Sequence, residues 1–420
     1  MQTTPTPRLS VSPSELSRLP DGADRRDHDC FYTSVRGTSR LDLRGVRRES
    51  FTEYHLTATV VGGGQQSSGG CHADNLLIRV AAELAMRRIQ PIQEKFYGRR
   101  EVCADVLRHR EQAYRRQSLD PAVPVTWVEG LPLEGSDFVG VQIWGIVPHD
   151  DQCGVQTVDN PVTGPGRLWT GRGFEMLHLP AVRGVRADGT LPAGAAVQAD
   201  QMFTNVGEGL AAHGMAYTDV ARTWIYSSRL LDWYGDLNRV RNAHYKPAGL
   251  GVPGGPAFPA STGIQGRMGE EECMVDVLAL RRGPAATVVA QPIRCSPRQD
   301  QSFNYGSAFS RGMVFDIEGR KTVHISGTAS INTAGASTNL GNAEYQSLET
   351  LLCIAAILEE QGGSLHNITS ATVFCKDVAA WEAWQRVSRL LQVPDFPKVY
   401  VLADVCRDDL LVEMESVSLI

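Results

Sequence analysis

The chain has 420 residues, 42% of them apolar, and this length predicts two or three compact domains rather than one core. Its formal charge of −6 is spread along the sequence without a basic stripe, which argues against nucleic-acid binding. Apolar runs fall short of the roughly 18 residues that cross a bilayer, and the N-terminus has no hydrophobic segment, so neither a membrane span nor a signal peptide is expected.

Cysteine and histidine spacing argues against metal and disulfide sites. The nine cysteines lie far apart and include no C-x-x-C pair. The ten histidines show no H-x-x-x-H or other paired ligand spacing. This usage is typical of reduced thiols in the cytoplasm and predicts neither a disulfide framework nor a metal site.

Changes in composition divide the chain. Residues 1–28 are rich in Pro, Ser, Thr and charge, and we expect a disordered tail there. Two breaks that contain proline and glycine, at 149–166 and 281–302, separate the remainder into three segments. The predicted domains are 29–150, 151–300 and 301–420.

The first segment reads as strands and two helices. Strands are predicted from Phe51 onwards, and residues 74–98 have the spacing of a long amphipathic helix. Residues 99–117 predict a second, charged helix, and residues 123–147 predict the closing strands.

The second and third segments repeat one another. Residues 199–233 align without a gap onto residues 347–381, with Trp233 on Trp381. In each copy a helical apolar spacing ends at a glycine, and an alternating β-branched run and a second helix follow. With strands on either side, each copy predicts a β-β-α-β-α-β unit, and residues 52–147 are interpreted as a third, divergent copy.

The repeats predict how the units pack. A sheet with helices on one face only must cover its other face with something apolar. Three such units in one chain can bury these faces against one another around a pseudo-threefold axis. Ligand clefts are then expected at the seams between units.

The third segment resembles the RidA/YjgF superfamily over its whole length. The matching stretches are "SGTASI", "ETLLCIAAILEEQGGSLHNITSATVFCKDVAAWEAW" and "LLVEMESV". That family forms homotrimers with ligand sites between subunits. The resemblance therefore implies an α+β protein of three RidA-like (chorismate mutase-like) units in an intrachain pseudo-trimer, alone or within a larger homo-oligomer.

Residues 165–420 are similar to the chorismatase branch of that superfamily. "ARTWIYSSRLLDWYGDLNRVR", "PASTGIQG", "SPRQDQSFNYGSAFSRGM", "HISGTASI" and "ADVCRDDLLVEMESV" follow in the same order. The resemblance implies a cofactor-free enzyme that acts on a small carboxylate and releases pyruvate by enol-ether hydrolysis or elimination. Two alternatives stay open: a RidA-type enamine or imine deaminase, and a non-catalytic protein that binds a small acid.

Arginines are the candidate carboxylate ligands, because a guanidinium group binds a carboxylate bidentately. Arg222 interrupts a strand in which Val220, Trp224 and Tyr226 are expected to share its face, so we expect its side chain inside a cleft. The resemblance places substrate-binding arginines at Arg222, Arg239 and Arg241, and Arg311 and Arg407 are further candidates.

Carboxylates are the candidate acid and base. Glu413 and Glu415 alternate with Val412 and Met414, so both are expected on one face of the last strand, where the RidA pattern has a cleft glutamate. Glu349, early in its helix, is a third candidate. Tyr305 and Thr328 are candidate hydrogen-bond donors to the substrate.

The sequence departs from both family patterns at defined places. RidA-type deaminases carry Pro-Ala-Arg-Ser before the penultimate strand, whereas this chain has "FPKVYV" with Lys398 in the third unit and "PAST" with Ser261 in the second. The chorismatase loop after "SGTASI" usually supplies a carboxyl group, whereas this chain reads "NTAGASTNLGN" without an acid.

Overall fold

The computed structural model describes residues 29–61, 69–133, 136–252, 254–267 and 269–420, apart from the side chains of residues 69–72 and of residue 305. The tail predicted for residues 1–28 lies outside this part of the chain. The described residues form three six-stranded sheets, each with two helices. The predicted α+β class, with three repeated units of sheet and helices in one chain, is confirmed.

The first unit has its sheet in the order β1-β2-β3-β6-β4-β5. Only β4 and β5 pair in parallel. Its elements are β1 Cys30–Arg36, β2 Ser39–Arg47, β3 Phe51–Val60, α1 Gly69–Arg87, β4 Gln90–Gly98, α2 Cys103–Arg116, β5 Thr126–Glu129 and β6 Phe138–Pro148.

The second unit repeats this arrangement, with the sheet order β11-β10-β12-β9-β8-β7. Strands β10 and β11 are its parallel pair. Its elements are β7 Gly154–Val158, β8 Gly166–Gly171, β9 Phe174–Arg183, α3 Ala195–Ala211, β10 Val220–Ser227, α4 Leu230–Tyr245, β11 Ala260–Gln265 and β12 Cys273–Arg282.

The third unit has the order β13-β14-β15-β18-β16-β17. Strand β13 precedes residue 300 in the chain and pairs with β14 of this sheet. The domain boundaries at residues 150 and 300 stay predictions. Its elements are β13 Val288–Ile293, β14 Gly312–Ile317, β15 Arg320–Ala329, α5 Ala343–Glu360, β16 Ile368–Cys375, α6 Val378–Leu390, β17 Lys398–Leu402 and β18 Val412–Leu419.

The observed unit has two more strands than the predicted β-β-α-β-α-β pattern. The additional strands lie at the two edges of each sheet, before the first predicted strand and after the second helix. Strand β7 is only partly buried along its length, and β11 is composed mainly of small and polar residues. Edge strands of this kind lack the apolar alternation that identifies a strand in a sequence.

The repeat predicted from the sequence is confirmed, with one correction in the divergent copy. The helix predicted over residues 74–98 ends at Arg87, and the chain from Gln90 onwards forms strand β4. Arg88 has a positive φ of 58°, and Pro91 cannot donate the backbone hydrogen bond that a helix requires. Since β4 is buried on both faces, its apolar residues do not alternate, and the sequence pattern alone did not separate it from the helix.

The units pack so that the sheet face without helices is covered by the other units. Each pair of helices covers one sheet face and forms a separate apolar core. The opposite faces of all three sheets meet in a central core. Trp169 of the second unit is fully buried there, with ring centroids of the first unit at 5.0 Å (Phe51) and 5.9 Å (Trp144). None of the helices in the described ranges is long and apolar enough to cross a membrane.

We expect Trp169→Ala to lower the free energy of unfolding by about 3–5 kcal/mol, because it opens a cavity between two units. Urea unfolding followed by circular dichroism measures the change. Leu390→Ala is the control, since this side chain is 80% exposed and its loss is expected to change stability by less than about 0.5 kcal/mol. Equal effects of the two substitutions on the free energy of unfolding would contradict the burial of Trp169 in a central core.

Candidate functional site

Strand β10 carries Arg222 into the seam between the second and third units. Its guanidinium donates to Glu415 Oε2 of the third unit at 2.7 Å and to Thr262 Oγ1 at 2.6 Å. It also lies over the ring of Trp224, 4.7 Å from the centroid. Only 1% of Arg222 is exposed, so its charge is buried. The charge is paired with a carboxylate of another unit.

A β-bulge determines which neighbours share the face of Arg222. The register between β10 and β12 shifts between Val220 and Arg222. Val220 therefore packs into the helix-side core, whereas Trp224 and Tyr226 face the central core with the arginine. The expectation that Val220 shares this face is wrong, because an inserted residue breaks the alternation of side chains.

Strand β18 presents Glu413 and Glu415 to the same seam. Glu415 accepts from Arg222, and Lys95 Nζ of the first unit lies 4.0 Å from its Oε1. Glu413 points against Gly327 of strand β15. A Cβ atom on Gly327 would lie 2.0 Å from Glu413 Oε1, so the carboxyl group would have to move if another residue replaced this glycine.

The environment of Glu413 keeps it protonated near neutral pH. Burial raises the pKa of Glu413 from 4.5 to about 8, and repulsion by Glu415 adds to this, while Arg222 opposes it. Glu413 is therefore a neutral acid at pH 7 and able to donate a proton. Arg222 has its own pKa lowered by burial, against the attraction of Glu415.

Glu413 faces a cavity of about 240 Å³ between the second and third units. Three arginines line it together with this carboxyl group: Arg241 from α4, Arg311 beside β14, and Arg407 before β18. Their positive charge and the neutral acid suit an anionic ligand. The remaining lining includes Tyr234, Asn238, Ser261, Phe309, Ile331 and Cys406.

Neighbouring groups orient each of the three arginines. Arg241 donates to Asn238 Oδ1 at 2.6 Å, and its Nε has no hydrogen-bond partner within the described part of the chain. Arg311 donates twice to the carbonyl of Asp300, at 2.8 and 3.0 Å. Arg407 donates to the carbonyl of Gly335 at 2.8 Å, in the loop that follows "SGTASI".

Arg222 and Glu415 line a separate, smaller cavity, and four further predicted site residues line neither cavity with a described side chain. Arg239 is exposed and pairs with Asp236, because two positions along α4 turn it away from the face of Arg241. Glu349 pairs with Arg298, and the Thr328 hydroxyl donates to the backbone of Ser326. Tyr305 ends the short helix Ser302–Tyr305, and its side chain lies outside the described part.

The structure also adds residues that the sequence analysis missed. Lys95 is a buried cation inside "EKFYG", and a lysine within an apolar strand is the signal that could have identified it had β4 been predicted. Cys406 lines the cavity beside Arg407. Burial raises the pKa of its thiol to about 12, so the thiol is neutral at pH 7. Thr262 accepts from both Arg222 and the backbone N–H of Gly327.

A second, smaller cavity of about 40 Å³ lies behind Arg222 and Glu415, where the three units meet. His324 lines it, and burial lowers the pKa of this histidine to about 3, so the ring is neutral. Neither ring nitrogen has a partner among the described residues. A polar cavity of this size has room for ordered water that would bind these atoms.

The other two units carry different residues at the positions equivalent to Glu413 and its partner. Glu413 lies opposite Phe374, and the corresponding pairs are Tyr226 with Met274 and Tyr97 with Gly140. Glu413 is thus a carboxylic acid at a position where the other two units have Met274 and Gly140. The third–first seam has a cavity of about 260 Å³, but its Lys398 is paired with Asp395.

Comparison with known proteins identifies the third unit. Residues 307–420 match the family model described as Endoribonuclease L-PSP. The third unit is therefore similar to this family. The resemblance expected from the sequence is confirmed, and Glu413, Glu415, Arg311 and Arg407 all lie within this unit.

Solved structures extend the comparison beyond the third unit. A crystal structure of a chorismatase covers 78% of this chain and 92% of its own, with 19% identity and a TM-score of 0.54, which shows a shared fold. YjgF from E. coli covers 26% of this chain and 86% of its own, with 20% identity and a TM-score of 0.22. YyfA of the Rid family from Yersinia pestis covers 31% and 100%, with 18% identity and a TM-score of 0.27. No curated protein sequence matches the chain significantly.

We expect Glu413→Gln to stabilise the protein increasingly as the pH rises. Between about pH 4.5 and 8 the unfolded chain loses the proton of Glu413 while the folded protein keeps it, so wild-type stability falls relative to the variant. The difference should grow by roughly 1.4 kcal/mol per pH unit in this window. Urea unfolding of both proteins at pH 5 and pH 8 measures it, and a difference that is independent of pH would contradict a buried, neutral Glu413.

Arg222→Ala should destabilise the protein by roughly 3–5 kcal/mol, because it leaves Glu415 buried without its main partner. Arg239→Ala is the matched control, and its exposed pair should contribute within about 0.5 kcal/mol. Chemical unfolding of the two variants gives both values. Similar stabilities would mean that the Arg222–Glu415 pair does not hold the seam.

Proposed function

We propose that this protein is a cofactor-free enzyme that cleaves an enolpyruvyl ether on a small carboxylate and releases pyruvate, as the resemblance to chorismatases implies. The observation that carries the proposal is a buried, neutral Glu413 that faces a cavity with three guanidinium groups. A protonated acid beside carboxylate-binding cations is the pair of functions that this reaction needs. We place the enzyme in the cytoplasm, as one chain that supplies all three units, alone or in a larger homo-oligomer.

The reaction starts with proton transfer from Glu413 to the methylene carbon of the enol ether. The alkene electrons form the new C–H bond, and the adjacent carbon becomes an oxocarbenium ion. Water adds to that carbon and returns a proton to the Glu413 carboxylate. The resulting hemiketal breaks its C–O bond and gives pyruvate and an alcohol, so the acid is regenerated.

The arginines hold the substrate for this transfer. Arg241, Arg311 and Arg407 surround the cavity and would bind the carboxylates of the substrate, which fixes the alkene next to Glu413. The loop after "SGTASI" has no acid of its own. It contributes through the carbonyl of Gly335, which orients Arg407.

The deaminase alternative has less support in the geometry. Ser261 lines the cavity at the position where the RidA pattern has its arginine. Lys398, at the corresponding position of the third unit, is neutralised by Asp395 in another seam. A non-catalytic protein that binds a small acid would need only the arginines, so turnover is the property that separates the proposals.

Incubation with chorismate should release pyruvate, detected by coupled lactate dehydrogenase. Glu413→Gln is expected to lower kcat by about 100-fold or more, since it removes the proton donor and keeps the shape. Arg241→Ala should mainly raise KM, because a carboxylate ligand is lost. Arg239→Ala, outside the cavity, should leave both constants unchanged.

A parallel assay with 2-aminoacrylate tests the alternatives. Hydrolysis of 2-aminoacrylate without pyruvate release from chorismate would overturn the proposal in favour of a deaminase. Tight binding of chorismate, measured by calorimetry, with no turnover in either assay would favour the alternative of a non-catalytic protein that binds a small acid. Full activity of Glu413→Gln would remove this residue from the mechanism.

A further inference from the structure

Lys95 brings the first unit to the site between the other two. It lies on β4, is buried, and its Nζ is 4.0 Å from Glu415 Oε1. The same ammonium lies 3.7 Å from the ring centroid of Trp224, the neighbour of Arg222 on the β10 face. None of the described residues of the first unit lines the larger cavity, so Lys95 approaches the carboxyl pair from the opposite side.

Glu415 is therefore placed between two cations. Arg222 Nη2 lies 2.7 Å from Oε2, and Lys95 approaches Oε1. An opposite charge within about 4–6 Å favours the ionised form of a carboxyl group. Glu413, two residues earlier on the same strand, accepts from neither cation in the described contacts.

The other charged groups around Lys95 do not replace this contact. Asp276 on β12 also attracts it, but that carboxylate is held by Thr126, Gln93 and the backbone N–H of Ala181. Arg222 on β10 repels the ammonium. The neighbouring titratable groups Tyr97 on β4, Tyr226 on β10 and His324 on β15 are neutral, because burial shifts the pKa of each towards its neutral form. Burial lowers the pKa of Lys95 to about 8, so it is still mainly charged at pH 7.

The equivalent positions show that this cation is specific to the first unit. Lys95 lies opposite Gln142, as Trp224 lies opposite Asp276 and Thr372 opposite Glu415. Neither Trp224 nor Thr372 carries a charge. The first unit thus has a lysine where the other two units have neutral residues.

We propose that Lys95 is a positioning residue: together with Arg222 it holds negative charge on Glu415, so that Glu413 is the carboxyl group of β18 that keeps a proton. The catalytic meaning of this inference rests on the proposed function, since Glu413 is the acid of that reaction. The physical claim about the carboxyl pair stands without it. When one of two nearby carboxyl groups is bound by cations, the other is the one that retains a proton.

The direct test follows protonation of Glu415 by infrared titration in a Glu413→Gln background. Adding Lys95→Met should make the absorption of the protonated carboxyl appear at a pH at least about one unit higher, as expected for loss of a charge at this distance. Lys95→Arg keeps the charge and should leave the titration within a few tenths of a unit. An unchanged titration in Lys95→Met would overturn the proposal, and Lys95→Gln replaces it should the methionine variant fail to fold.

Kinetics supply the second test. Lys95→Met alone should lower kcat for pyruvate release about tenfold, with KM within about twofold, because some of the protein then holds the proton on Glu415. The alkaline limb of the pH–rate profile should move, and Lys95→Arg should restore it. A changed infrared titration in a protein that turns over no enolpyruvyl ether would support the role of Lys95 and refute the proposed function. An unchanged pH–rate profile in an active Lys95→Met enzyme would refute the role of Lys95.

Discussion

The buried ion pair between Arg222 and Glu415 is the interaction on which the site depends. It joins β10 of the second unit to β18 of the third with a 2.7 Å contact, in a region with almost no exposed surface. A charge in such a place is tolerated only when it is paired and hydrogen-bonded. The pair therefore fixes the register between the two units, and with it the position of Glu413 relative to the three arginines.

Joining three units in one chain allows the seams to differ. The first–second seam is filled by Gln93, which donates to Asp276 and contacts His178. In the third–first seam, Gln142 interacts with Tyr97 and Thr372 in a neutral network. A homotrimer repeats one site three times, whereas the seams of this chain hold different side chains.

The small residues of "HISGTASI" have a steric reason. Gly327 leaves space for the Glu413 carboxyl group, and Ser326 is fully buried, where its hydroxyl donates to the carbonyl of Ser310 and accepts from the backbone of Ser261. Strand β15 is thus a thin wall between two units, and its hydroxyl groups are used to bind backbone rather than to react. In the proposed reaction, Glu413 of β18 takes the place of the acid that the following loop lacks.

The sequence by itself determined the repeats, the one-sided sheets and the alternation that puts Glu413 and Glu415 on one face, because these depend on local periodicity. Local patterns misjudged β4, which is buried on both faces, and Val220, which a bulge turns away. Only the tertiary structure decided that Arg241 lines the cavity while Arg239 does not, and that Lys95 reaches Glu415 from another unit. The protonation of Glu413 also belongs to the assembled seam, since the burial that raises its pKa does not exist until the second and third units are brought together.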